Sequence, residues 1–113
     1  MDRKLRKSLS DILSSILEIE SFMDGRPKEY ETFCTDTLFR RGVERNMEIM
    51  GEAMNQALKI NSNLPITSAR KIVDTRNFII HAYDSLKPDI LWGIVINHMP
   101  LLKREVEALL AHD

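Results

Sequence analysis

The chain has 113 residues, a length that fits one domain with a single hydrophobic core, and we expect one domain over residues 1–113. Its 16 lysine and arginine residues stand against 17 aspartate and glutamate residues. The resulting net charge of -1 excludes a general attraction to nucleic acid or to an anionic membrane. The lone cysteine, Cys34, excludes an internal disulfide. Without a secretory signal, or the run of about 20 apolar residues that crosses a membrane, a soluble cytoplasmic protein is expected.

Apolar residues recur with helical spacing in segments separated by loop residues. The first segment runs over 5–23 and ends at DGRP, residues 24–27. The second begins near Glu29 and runs towards Ile60, with Gly42 as a candidate boundary. Gly51, inside the same segment, indicates either a bend or a close approach of another helix.

The NSNLP stretch at 61–65 has loop chemistry, so Thr67 or Ser68 is the expected N-cap of a helix that should end near Asp84. Pro88 suits the first turn of the next helix, because the amide hydrogen it lacks would be unpaired there. Pro100 either kinks that helix or starts another. Since no stretch has the alternation of an exposed strand, the predicted fold is an all-α, up-and-down bundle of four to five helices.

The segment RNFIIHAY at 76–83 places polar side chains inside a helix that otherwise has an apolar stripe. At about 100° per residue, Arg76 and Tyr83 lie within roughly 20° of one another. The same face carries the apolar residues Ala69, Ile72, Val73 and Ile80. Asn77 and His81 form an i,i+4 pair on the adjoining line, so the four polar side chains could border one cleft.

Two interpretations of Arg76 follow, because a buried arginine without a partner would be strongly destabilising. One is a structural salt bridge to a glutamate of the long helix, with Glu44, Glu48 and Glu52 as the candidates. The other is an active site, in which a cation, an imidazole and a phenol bind a phosphodiester, transfer a proton and stabilise developing charge. The residues alone leave both open.

Signatures of metal and cofactor sites are absent from the sequence. The histidines at 81, 98 and 112 do not have ligand spacing with each other, and no Gly-rich phosphate loop occurs. We therefore expect no metal and no cofactor.

Four stretches together resemble HEPN-domain toxins of the HepT-like family. RNFIIHAY matches the R-x4-H-x-Y motif of that family, with a polar residue, Asn77, directly after the arginine. The other three stretches follow in the family's order. RNMEIMGEAM at 45–54 resembles the family's long-helix signature, and NLPI at 63–66 resembles its proline-bearing loop. DILWGIVINHMPLLKREV at 89–106 resembles its C-terminal segment. The resemblance covers nearly the whole chain, from about residue 2 to residue 110.

The resemblance implies a single HEPN domain that forms a homodimeric, metal-independent endoribonuclease. Such a protein is the toxin of a toxin–antitoxin pair, and its partner is a minimal nucleotidyltransferase antitoxin. Arg76 would hold the scissile phosphate of RNA, and His81 would act as general acid or base while the ribose 2′-hydroxyl attacks and leaves a cyclic phosphate. Asn77 would orient either residue. Tyr83 matches the tyrosine that the antitoxin modifies by AMPylation, which would block RNA entry.

Acidic residues surround the motif, at Asp74, Asp84 and Asp89. RNA affinity would therefore depend on a dimer that presents two copies of Arg76. The alternative function is a non-catalytic helical adaptor, or a nucleotide-binding partner of a nucleotidyltransferase.

Overall fold

The computed structural model describes residues 1–81 and 87–112, and these form six helices and no strand. The helices are α1 (Arg3–Met23), α2 (Tyr30–Thr35), α3 (Thr37–Ile60), α4 (Ala69–His81), α5 (Pro88–Asn97) and α6 (Met99–Ala111). The all-α class expected from the sequence is confirmed. The helix end expected near Asp84 lies outside the described residues.

The two longest helices, α1 and α3, pack antiparallel and carry the centre of the core. Their fully buried apolar side chains are Leu9, Ile12, Ile16 and Ile19 of α1 with Val43, Met47, Met54 and Ala57 of α3. The direction follows from two contacts, Glu18 with Asn46 and Phe22 with Gly42. A Cβ at Gly42 would lie 2.7 Å from the Phe22 ring, so this glycine allows a close contact and is not a helix boundary.

The boundary in the second predicted segment lies at Asp36, where the backbone leaves helical geometry between α2 and α3. The Asp36 carboxylate accepts a hydrogen bond from the Phe39 amide at 3.0 Å and pairs with Nε of Arg26 at 3.0 Å. These two interactions hold the pKa of the Asp36 carboxyl below its usual value. An N-cap inside the apolar pattern thus divides what the periodicity predicts as one helix.

Two of the four prolines start helices, as the sequence allows. Pro88 and Pro100 both lie in a first turn, so the chain restarts at α6 and does not continue through a kink. Helix α5 packs on α2 through Trp92, whose ring centroid lies 5.2 Å from that of Phe33. The described part of the chain contains six helices, where four to five were expected, because Asp36 and Pro100 each divide a segment.

Helix α4 packs on α3, and α6 packs on α1. The loop that precedes α4 is tied to α6 through Glu105, whose carboxylate accepts hydrogen bonds from the amide and hydroxyl of Thr67 at 3.1 and 2.9 Å. The Ser68 hydroxyl lies 3.3 Å from Nδ1 of His98. These contacts fix the start of α4 against the rest of the bundle. None of the helices described is long and apolar enough to cross a membrane.

Candidate active site

Helix α4 approaches α3 closely at Gly51. A Cβ placed on Gly51 would overlap the Cβ of Arg76, would lie 2.7 Å from its Cγ and would lie 3.1 Å from the Ile72 carbonyl oxygen. No residue with a side chain fits there unless the two helices separate. Of the two roles that the sequence left open for Gly51, the structure therefore has the close approach, and it brings the stem of Arg76 onto the surface of α3.

The guanidinium of Arg76 is held by two neighbours. Its Nη2 lies 2.7 Å from Oε2 of Glu52, and its Nη1 donates to Oδ1 of Asn77 at 2.8 Å. Its Nε is buried and has no hydrogen-bond partner among the described residues. The Arg76 side chain is 25% exposed and that of Glu52 is 48% exposed. The salt bridge anticipated with Glu44, Glu48 or Glu52 is thus found with Glu52, but it lies at the surface and not inside the core.

The Arg76 guanidinium borders a cleft of about 800 Å³ between α1, α3 and α4. Three carboxylates and five cationic side chains line it: Asp11, Glu48 and Glu52 with Lys4, Lys7, Arg45, Lys59 and Arg76. Its apolar lining includes Ile49, Ala53 and Ile80. Cations therefore outnumber anions in this cleft, although the net charge of the chain is -1.

Asn77 and His81 are exposed, and neither is among the residues that line this cleft. At about 100° per residue, His81 points roughly 140° away from Arg76 around the α4 axis, and Asn77 lies between them. In one protomer, Arg76 is therefore hydrogen-bonded to Asn77, and His81 lies one helical turn beyond Asn77. Tyr83, the fourth residue of the predicted site, lies outside the described residues.

An apolar surface lies beside His81. Phe78 and Ile90 are each 45% exposed, and they line a smaller cavity of about 380 Å³ together with Lys71, Asp74 and Thr75. These two side chains form an exposed apolar patch at the surface. The motif helix therefore has a charged cleft on one side and an apolar surface on another.

The sequence analysis did not identify the basic residues of the cleft outside the motif. Lys4 and Lys7 belong to α1, and no local pattern indicates that they lie next to residues of α3 and α4. Among the described residues, no group of three or more His, Cys, Asp or Glu side chains is placed to hold a metal ion.

Comparison with known proteins places these features in a family. A family model described as Ribonuclease HepT-like matches residues 12–109. The chain is 32% identical over 113 residues to "Probable ribonuclease HepT" of Thermococcus cleftensis, covering 96% of this chain and 98% of that one. It is 31% identical over 106 residues to an RNase candidate of Methanocaldococcus jannaschii, covering 93% and 95% of the two chains. No solved structure matches. The chain belongs to the HepT-like ribonuclease family, as the resemblance of its four stretches implies.

Proposed function

We propose that this protein is a metal-independent endoribonuclease that acts as the toxin of a toxin–antitoxin pair. The observation that carries the proposal is the placement of Arg76. Its guanidinium is oriented by Glu52 and Asn77 at the edge of a cation-rich cleft, one helical turn from His81. Because the pair with Glu52 lies at the surface, at the edge of the cleft, a phosphate can reach the guanidinium without disrupting the core.

The chemistry requires one cation and one proton-transfer group. A guanidinium has five N–H donors, so Arg76 retains free donors for phosphate oxygens while it holds Glu52 and Asn77. His81 takes the proton of the ribose 2′-hydroxyl, whose oxygen then bonds to phosphorus. The bond from phosphorus to the 5′-oxygen breaks, and this oxygen receives a proton from the protonated imidazole of His81. The products are a 2′,3′-cyclic phosphate and a 5′-hydroxyl, and no metal enters the reaction.

The proposed active form is a homodimer in which two motifs share one substrate cleft. The support is the direction of the side chains. Arg76 faces the cleft beside α3, whereas His81 points roughly 140° away, so a second protomer is needed to surround a phosphodiester. Phe78 and Ile90 provide exposed apolar area next to His81 for such an interface.

The proposed partner is a cognate minimal nucleotidyltransferase, which silences the enzyme by AMPylation of Tyr83. The match of RNFIIHAY to the R-x4-H-x-Y motif supports this assignment. An adenylyl group on this residue would add negative charge and bulk to the motif and would repel the RNA backbone. We propose a cytoplasmic location, where cellular RNA would be available as the substrate.

The test is cleavage of RNA by the purified protein in EDTA. We expect products that end in a 2′,3′-cyclic phosphate, identified by mass spectrometry, and loss of cleavage in both Arg76→Ala and His81→Ala. Light scattering at micromolar concentration should give the mass of a dimer. Absence of cleavage, together with stable binding of the nucleotidyltransferase, would identify an adaptor and refute the proposal. Activity that chelator abolishes and magnesium restores would refute the metal-independent mechanism.

A further inference from the structure

The cleft beside Arg76 extends well beyond that residue and carries an unbalanced charge. Five cationic and three anionic side chains line it, which leaves a net charge of +2 (5 − 3). Each carboxylate is paired with a cation of the same cleft: Asp11 with Lys7 at 2.8 Å, Glu48 with Arg45 at 3.2 Å and Glu52 with Arg76 at 2.7 Å. The excess charge thus belongs to Lys4 and Lys59, which have no ion pair in the part of the chain that is described.

These two lysines come from opposite ends of the sequence but lie at one end of the cleft. Because α1 and α3 run antiparallel, the first turn of α1 lies next to the last turn of α3. Lys59 follows Glu52 by seven residues on α3, which corresponds to about 10 Å along the helix axis.

Helix stability does not explain Lys4. A cation in the first turn of a helix is opposed by the helix dipole, and the acidic residue at this end of α1 is the N-cap Asp2, which is engaged with backbone amides. The Asp2 carboxylate caps the amides of Lys4 and Leu5 at 2.8 and 3.0 Å, so these amides are not available to an anion. Lys4 therefore contributes a free positive charge at the end of the cleft. This charge slightly destabilises helix α1.

We propose that the cleft between α1, α3 and α4 binds the RNA backbone on one side of the cleaved bond, with Lys4 and Lys59 in contact with its phosphates. This proposal rests on the proposed ribonuclease function and adds a second contact region to it. A polyanion fits because the two unpaired charges lie at one end of the same cleft that Arg76 borders. No aromatic side chain is among the residues that line the cleft, so it would bind phosphates without stacking bases and with little sequence preference.

The experiment measures binding of a 2′-O-methyl RNA of about twelve nucleotides, which lacks the attacking hydroxyl and stays intact. The variant is Lys4→Gln/Lys59→Gln, with Lys4→Arg/Lys59→Arg as the charge-retaining control. Lys28→Gln, beyond the other end of α1, is the control for the loss of a positive charge outside the cleft. We expect the Kd of the Gln double variant to rise about tenfold at low salt. The slope of log Kd against log salt should fall by about 1.4, because each lost phosphate contact removes ~0.7 for a single strand.

Cleavage assays locate the contact. The Gln double variant should cut a long RNA less efficiently through a higher KM, and it should cut a dinucleotide as fast as the unmodified protein. Its melting temperature should change little, because the loss of Lys4 removes a charge that opposes the dipole of α1, whereas the loss of Lys59 removes a favourable charge from the last turn of α3. An unchanged Kd and salt slope, in a protein that still cleaves RNA, would overturn the cleft assignment and leave the ribonuclease proposal intact. Dissociation of the dimer by the same variant would also overturn it, since the cleft would then lie between copies. Absence of RNA cleavage by the unmodified protein would refute both.

Discussion

Gly51 and Arg76 are in contact where α3 and α4 cross, and a Cβ at residue 51 would overlap the Cβ of Arg76. The following residue of α3, Glu52, then binds the Arg76 guanidinium at 2.7 Å. Two consecutive residues of α3 thus position Arg76. Gly51 determines how closely the Arg76 stem packs on α3, and Glu52 determines the direction of the guanidinium. This relationship assigns a physical role to the Gly-Glu pair of the long helix.

Gly51→Ala should separate the helices and displace Arg76. Overpacking of this kind costs about 1–3 kcal/mol, so we expect a clearly lower melting temperature together with reduced RNA cleavage. Gly93→Ala is the matched control, because a Cβ there meets nothing within 4 Å and lies inside helix α5. That control should be neutral, or more stable by about 0.5–1 kcal/mol. Equal effects of the two changes would contradict the role given to Gly51.

Arg76→Met should abolish cleavage while the fold remains stable. Methionine retains an unbranched stem against Gly51 and removes only the charge. Because the ion pair with Glu52 is exposed, its loss should cost no more than about 1 kcal/mol, measured by thermal denaturation. A sharp fall in melting temperature with Arg76→Met would instead favour the interpretation of Arg76 as a structural salt bridge.

Glu52→Ala should lower kcat more than it raises KM, because the guanidinium loses one of the two groups that orient it. Glu52→Gln retains an oxygen acceptor for Arg76 and should restore most of the rate. Glu48→Ala is the control, since Glu48 lines the same cleft but pairs with Arg45 at 3.2 Å. Equal kinetic effects of Glu52→Ala and Glu48→Ala would indicate a general charge effect and not the orientation of Arg76.

Tyr83→Phe should remove the mass added by co-expression with the cognate nucleotidyltransferase and should retain RNA cleavage. Intact-mass spectrometry measures the adenylyl adduct, and Tyr30→Phe is the control. Tyr30 is a poorer acceptor, because its hydrogen bond with Cys34 raises the pKa of the Tyr30 phenol to about 12. An adduct that maps to Tyr30, or no adduct at all, would refute regulation through Tyr83.

The stability of the folded protein should depend on pH through the carboxyl group of Asp36. The pKa of Asp36 is lowered by the Phe39 amide and by Arg26, so its charged form stabilises the folded state. This contribution is complete above the ordinary carboxyl pKa of about 4 and is lost as the pH falls through the lower value of the folded protein. The difference in melting temperature between the unmodified protein and Asp36→Asn should therefore be present at pH 7 and shrink below pH 4. A constant difference from pH 7 to pH 2.5 would contradict this account.

The resemblance of four stretches, along nearly the whole chain, indicates the family. Local patterns predict the helical class and the breaks after residue 23 and around residues 61–65. Each depends on neighbours in the chain, because helical periodicity, loop-forming residues and prolines act within a few positions. The position of the second break is different. The apolar pattern continues through Asp36, and only its capping bond to Phe39 and its ion pair with Arg26 end one helix and start the next.

The site divides in the same way. The spacing of Arg76, Asn77 and His81 is visible in the sequence because they are close in the chain. The choice of Glu52 as the partner of Arg76 depends on the crossing of two helices at Gly51. Lys4 and Lys59 line one cleft because α1 and α3 pack antiparallel through their buried apolar faces. Contacts between distant residues depend on how the helices pack, and the local pattern of either helix contains no information about its partner's register.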